Sequence, residues 1–446
     1  MVVLNRTGGA SVRCTVPAPV ATIAYGMPGP ASQSTDGWAA PRNIYAADAI
    51  RAIRQHAAEQ RIDVESVSVR GNEITVFYLN RTYISEMNAV DRLTRLLMAD
   101  APSDIEFFRL VALPNGFPER RYEVMRSGAE RAIMQNDEGL TTLPDVVTVS
   151  DPAGARVFFQ PGDYRRSYPV FNWSIAPNLQ QSLFDPQQPL GVTAMLAARG
   201  ELMLRPNLSI YGGVETTLFR EINLNRPSDS VLPHVRTDAL NYVKEGSTGM
   251  SRLSVEYRFR PAPNVFARVT AGYLESMFAG VGGEVLWRPE GERWAVGADI
   301  FGVRQRNFDR LLGLRPYQTV TGHMSLYYAS PFHDLQFTLS VGRYLAQDWG
   351  TTFQVTRRFS TGVEVGAFFT RTNVTSTQFG EGAFDKGIII RFPLGWIAPL
   401  PTQSELGMII RPLQRDGGQR LNDDATLYDL TRRTSQAETL LINPRY

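Results

Sequence analysis

Segments of about ten residues, alternating apolar and polar, recur over roughly the last 220 residues. Leu253, Val255, Tyr257 and Phe259 alternate with Arg252, Ser254, Glu256, Arg258 and Arg260. Beyond a turn at Pro261–Asn264, Val265, Ala267, Val269 and Ala271 alternate with Arg268, Thr270 and Gly272. The pattern returns around Val285 and Trp287, at Trp294–Ile300, at Leu335–Val341 and at Val363–Phe369. A period of two places each set on its own face of a sheet. Short turns fall near Pro206, Pro261, Pro289, Pro331 and Gly362, and longer links over 220–249, 304–318 and 371–383. Short connections on one side and long ones on the other are the signature of a transmembrane antiparallel β-barrel. About a dozen strands are expected between 168 and 411.

A soluble sandwich would also bury one face of such strands. Two features favour lipid. The polar face is rich in small residues and in charges of both signs, which suits a hydrated interior. Aromatics gather at strand ends: Phe259 and Phe266, Trp287 and Trp294, Tyr328 and Phe332 at one side, and Tyr273, Phe278, Phe301, Tyr344 and Trp349 at the other. Amphipathic rings prefer the headgroup level, so two girdles are expected. No run of about 18 apolar residues exists for a spanning helix. The mean hydropathy of −0.20 is compatible with a barrel, in which only alternate residues need be apolar.

The 446 residues allow two or three domains. Residues 1–43 are rich in Pro, Gly, Ala and Ser and read as a linker or the remnant of an upstream region. Residues 44–140 read as a small periplasmic α+β module. Ala46, Ile50, Ile53 and Ala57 share one helix face, and Met87, Val90, Leu93 and Leu97 another. Each helix precedes two strands, the first pair joined by a tight turn at Gly71-Asn72. Residues 412–446 form a tail. The single cysteine, Cys14, permits no internal disulfide, and no signal peptide is visible, which points to a truncated or split protein. A net charge of +2 gives no nucleic-acid footprint.

Three stretches carry a resemblance: Leu232–Gly246 (LPHVRTDALNYVKEG), Gly380–Leu394 (GEGAFDKGIIIRFPL) and Ile410–Leu421 (IRPLQRDGGQRL). Together they resemble the YjbH/GfcD family of exopolysaccharide-biosynthesis and capsule-associated outer-membrane proteins of Gram-negative bacteria, over roughly residues 40–446. The resemblance implies an outer-membrane β-barrel working with periplasmic and lipoprotein partners in biofilm or capsule polysaccharide export or assembly. Members are usually longer, with an export signal and a further strand-rich half. The family offers no catalytic residues to carry over.

The candidate site is the polar face. Arg252, Glu256, Arg258, Glu284, Arg288, Asp299, Glu364 and Arg391 would line a path for a hydrated exopolysaccharide chain, where weak multiple contacts permit release as well as entry. The competing reading is that they pair across strands and fill a narrow interior. Tyr211, Phe266, Phe301, Tyr327 and Phe368 could stack on sugars or simply fill space. Among the family-like residues, Asp385, Lys386, Arg411 and Asp416 could meet partners or acidic sugars, or serve turn chemistry around Gly417-Gly418. His323 and Ser325 resemble the pairing of an outer-membrane phospholipase, but their parity turns them away from lipid and no Ser-Asn-Gly run follows. His56, His234, His323 and His333 lack metal-ligand spacing, and no phosphate-binding loop is present, so no metal or cofactor is expected. The expected function is non-catalytic: an outer-membrane barrel, set in lipid, that assists exopolysaccharide export or assembly. A plugged-barrel scaffold or glycan-binding protein is the alternative, ahead of a lipid-modifying enzyme.

Overall fold

The computed structural model describes residues 2–4, 10–12, 42–83, 85–135, 146–150, 163–183, 190–221, 231–359, 361–379, 384–393, 405–412, 415–422 and 425–432. Most of the expected 1–43 linker, Cys14 included, lies outside these residues. The chain forms two compact units, one of Val16–Ser167 with Thr431–Tyr446 and one of Met1–Thr15 with Tyr168–Leu430.

Two three-residue strands, β1 (Val2–Leu4) and β2 (Ala10–Val12), open the second unit. The first unit then runs α1 (Arg42–Glu59), β3 (Ile62–Arg70), β4 (Glu73–Asn80), α2 (Glu86–Asp100), β5 (Phe107–Ala112), β6 (Arg120–Met125), α3 (Arg126–Gln135), β7 (Val147–Ser150) and β8 (Tyr164–Arg165). The helix-strand-strand order, stated twice, is the one expected from the sequence. The sheet order is β7-β6-β5-β4-β3-β8, with β4 and β5 parallel because α2 crosses between them. The apolar faces of α1 and α2 account for the core: Ile53, Ala57, Val90, Leu93 and Leu97 are all inaccessible to solvent and pack with Val67, Ile74, Val76 and Phe108. Gly71, at φ +57°, makes the turn joining β3 to β4. Replacing Ile53 by Ala is expected to destabilise this unit by about 2–5 kcal/mol, since a close-packed core cannot refill the void. Pulse proteolysis of the full chain in urea would read that loss.

The second unit is mainly β. Its strands are β9 (Val170–Leu183), β10 (Leu190–Arg205), β11 (Leu208–Glu221), β12 (Thr248–Ala262), β13 (Val265–Tyr273), β14 (Phe278–Trp287), β15 (Trp294–Arg306) and β16 (Leu314–Ala329), then β17 (Leu335–Arg343), β18 (Trp349–Arg358), β19 (Glu364–Thr372), β20 (Asp385–Pro393) and β21 (Glu405–Ile410). Each pairs antiparallel with its neighbours in chain order, which makes one thirteen-stranded sheet. The short helices α4 (Ala239–Glu245), α5 (Ser376–Phe379) and α6 (Leu427–Arg432) lie between or after these strands. Two edge contacts come from the start of the chain. β1 pairs with β21 at Leu4–Leu406, and β2 pairs with β9 at Ala10–Leu179 and Ser11–Asn178.

The connections partly follow expectation. Turns at 206–207 and 263–264 are tight, and Asn264 supplies the left-handed residue of the second at φ +62°. At the opposite end 222–247 and 373–384 are long, but the expected link over 304–318 shrinks to 307–313 because β15 and β16 extend into it.

Candidate functional site: a polar face that is buried

The sheet inverts the rule for water-soluble proteins. Its apolar set faces outward and is exposed: Trp173, Val214, Val281, Ile300, Val320, Met324, Val341 and Phe369 are 46–64% accessible. Its polar set is buried: Glu256, Arg268, Thr270, Thr321, Ser325, Ser340, Thr356, Glu364 and Thr370 are 5% accessible or less. Trp287 and Trp294 meet edge to face at 5.0 Å and Tyr257 stacks on Phe259 at 5.3 Å, as rings at strand ends should. The girdle expectation fails for Phe266, Phe278, Phe301 and Tyr344, which are buried. Phe266 and Phe301 occupy the parity of the polar face, Phe278 joins the apolar cluster under the connections, and Tyr344 sits in a turn.

The charged residues expected on the polar face are there, and they are engaged. Glu256 is gripped by Arg252 at 3.2 Å and by Arg258, whose Nη2 also donates to the Tyr211 hydroxyl at 2.9 Å. Arg268 donates to Glu284 at 2.6 Å, Arg391 to Glu364 at 2.6 Å, and His323 Nδ1 sits 3.2 Å from Asp299. Arg288 lies buried beside the Phe266 ring. Ser325 shares a hydrogen bond with Ser340 at 2.8 Å. His323 and Ser325 thus have separate partners on the buried face.

The C-terminal segment lies along this face. Gly418 N–H donates to Asp348 at 2.7 Å, and Gln419 C=O accepts from Leu345 N–H at 2.9 Å. Arg420 reaches Ser340 at 3.4 Å and Asp299 at 3.9 Å. Ala425 C=O accepts from Arg268 at 3.0 Å, and Leu427 N–H donates to Glu284 at 2.8 Å. The Tyr428 ring stacks flat on Tyr327 at 4.0 Å. Successive tail residues therefore meet strand positions progressively closer to the short turns. Gly418 also abuts Thr370 of β19 and Asp385 of β20, whereas Ala425 meets Arg268 of β13.

Residues 231–247, the described part of the connection between β11 and β12, cover the long-connection end. Val235 and Tyr242 pack with Leu274, Met277, Phe278, Phe301, Val303, Leu345 and Ala346. Arg306 is fully buried and donates to the carbonyls of Met250, Glu275, Arg310 and Leu311 at 2.7–3.2 Å. Arg310 pairs with Glu215 at 2.7 Å. Arg236 binds Glu275 at 2.9 Å and the Arg420 carbonyl at 2.7 Å. Burial pushes the Glu275 carboxyl up, and Arg236 partly offsets this. The Asp416 carboxylate, wholly buried, accepts from Arg236 N–H at 2.7 Å, Thr237 N–H at 2.9 Å and the Thr237 hydroxyl at 2.7 Å. Asp385 is buried with Arg411 3.5 Å away, so neither it nor Asp416 is placed to meet a partner. Gly418, at φ +74°, shows that the Asp-Gly-Gly run is a turn; the Asp416 contact 180 residues away shows that it is more than one.

Sequence reasoning had no sign of Arg306, Arg310, Asp348 or Glu275, since each meets its partner through the fold. Arg236 and Thr237 lay within the first family-like stretch. All three stretches converge on this one end of the sheet, and a family model described as YjbH, exopolysaccharide biosynthesis protein, matches residues 17–433.

The chain belongs to the YjbH family.

A curated YjbH relative, described as an uncharacterized lipoprotein of Escherichia coli (strain K12), is 30% identical over 379 residues, which are 82% of this chain and 53% of the relative. The chain thus spans about half the length of that YjbH protein. The buried node of Arg236, Thr237 and Asp416 joins the first of the family-like stretches to the third.

Proposed function

We propose that this chain is a non-catalytic β-barrel of the outer membrane that assists exopolysaccharide export or assembly, with its C-terminal segment seated in the lumen. The supporting observation is the inverted sheet, exposed apolar outside and buried polar inside, which is stable where hydrocarbon replaces water. The edge pairings of β1 and β2 provide a seam for closure. The first unit faces the periplasm and docks the periplasmic and lipoprotein partners of the same polysaccharide system.

Occupation of the lumen favours a second form of this reading, a plugged scaffold that anchors an assembly. In the resting state Arg252, Glu256, Arg258, Glu284, Asp299, Glu364 and Arg391 bind one another and the tail. Little of their charge is left to a passing sugar chain.

Reconstitution into planar bilayers tests both forms. The full chain is expected to be silent. A chain lacking residues 415–446 is expected to conduct, with a current reduced by added anionic polysaccharide. A chain that is freely soluble without detergent would end the membrane reading; a tail-less barrel that stays silent would end the export form and leave the scaffold.

A further inference from the structure

On β17 to β20 the outward face is apolar except at its margins. Phe337, Leu339 and Val341 of β17, Phe353 and Val355 of β18, Val365 and Phe369 of β19, and Ile388 and Ile390 of β20 share it by parity. Its border at the long-connection end carries Arg343, Arg371 and Lys386. Register sets them in one row: Arg343 faces Trp349 on β18, Thr351 of β18 faces Arg371, and Phe369, two residues from Arg371, faces Lys386. The row crosses three strand spacings and slants by four residues along them, about 20 Å from end to end.

Among the described residues no acid answers these cations. The only carboxylates on the four strands, Glu364 and Asp385, are on the buried face. Arg343 donates to the Val320 carbonyl, and Lys386 lies 4.6 Å from the centroid of Phe384. Arg371 is exposed and has no ion-pair partner among the described residues. A ladder of rings crosses the row, passing below Arg343 and Arg371 and reaching the long-connection side of Lys386 at Phe384. Phe337, Phe353, Phe369 and Phe384 follow one another at centroid distances of 6.2, 5.8 and 6.4 Å. Cations bordering a continuous aromatic and aliphatic surface are complementary to one chemistry: a lipid with several acyl chains and more than one phosphate.

We propose that Arg343, Arg371 and Lys386 form a docking site for the phosphorylated glycolipid of the outer leaflet, lipid A. The cations take its phosphates and the phenylalanine ladder takes its acyl chains. This rests on the membrane reading above and adds an orientation to it, with the long-connection end in the outer leaflet.

The test uses the full chain in nanodiscs containing bis-phosphorylated lipid A, dephosphorylated lipid A or phosphatidylglycerol, with native mass spectrometry as the readout. Bound bis-phosphorylated lipid A is expected, with retention at least tenfold weaker for the dephosphorylated form and for phosphatidylglycerol. An Arg343→Gln, Arg371→Gln, Lys386→Gln triple variant is expected to lose that preference, and Arg357→Gln, on the same face at the short-turn end, to keep it. Equal retention of the phosphorylated and dephosphorylated forms by the unaltered chain would overturn the site, whatever the variants do. So would displacement by millimolar inorganic phosphate, which marks a free-anion site. A chain that enters nanodiscs and shows no preference refutes this site and leaves the barrel standing; a chain that does not enter them refutes the barrel itself.

Discussion

An Asp416→Ala chain is expected to unfold with about 2–4 kcal/mol less stability than the parent, the loss for removing a charged acceptor from several buried hydrogen bonds. The wholly buried carboxylate satisfies two backbone N–H groups and one hydroxyl. Removing it leaves the buried Arg236 N–H with the desolvation cost of an unmade hydrogen bond and takes the acceptor from both part-buried donors of Thr237. It also frees the end of the tail from the connection that carries Arg236, and the grip of Arg236 on Glu275 and on the Arg420 carbonyl loosens with it. Asp416→Asn keeps an oxygen for the two N–H groups, and the Thr237 hydroxyl can turn to accept from the new amide. Its expected loss is about 1 kcal/mol. The midpoint of heat-modifiable gel migration in detergent reads both. An Ala variant that unfolds with the parent would show that the tail is held elsewhere.

The second large effect concerns the outward face. Ile300 lies midway along β15 and is 63% accessible. Replacing it by Arg is expected to cost about 2–4 kcal/mol in a bilayer, the penalty for that charge near the midplane. Leu218, equally exposed but close to the end of β11, is expected to tolerate Arg at about 0–1 kcal/mol, because the side chain can reach the headgroups. Reversible urea unfolding in lipid vesicles gives both numbers. The depth dependence is the discriminating quantity. A face in contact with water would accept Arg equally at the two positions, and one packed on another protein layer would reject it at both.

Much of the sheet was legible because a strand writes its two faces alternately along the chain. Leu253, Val255 and Tyr257, and Val269 and Ala271, were assigned to the apolar face from parity alone, and they are exposed there. The first unit was legible for a related reason: Ile53 and Ala57, or Leu93 and Leu97, recur at helical spacing. Rings were harder. Phe301 sits next to Ile300 and so must face the other way, but proximity to a strand end suggested a girdle. Parity outweighs position here, because a sheet cannot turn one side chain over without a bulge. The occupied interior was not legible at all. Asp416 with Arg236, Leu427 with Glu284 and Tyr428 with Tyr327 join residues about 100–180 positions apart, and no local pattern encodes such a meeting. Arg252, Glu256 and Glu284 were assigned to the polar face by parity, with cross-strand pairing as one of two readings; which partner each meets arrives only with the fold.

The tail also completes the sheet chemically. Residues 415–422 and 425–430 follow every strand whose polar face they lie along. Without them the carboxylate of Glu284 and the guanidinium of Arg268 lack part of their set of hydrogen bonds. The last strand ends the ladder of backbone bonds, but the side chains of the polar face find their full set of partners only in what comes after it.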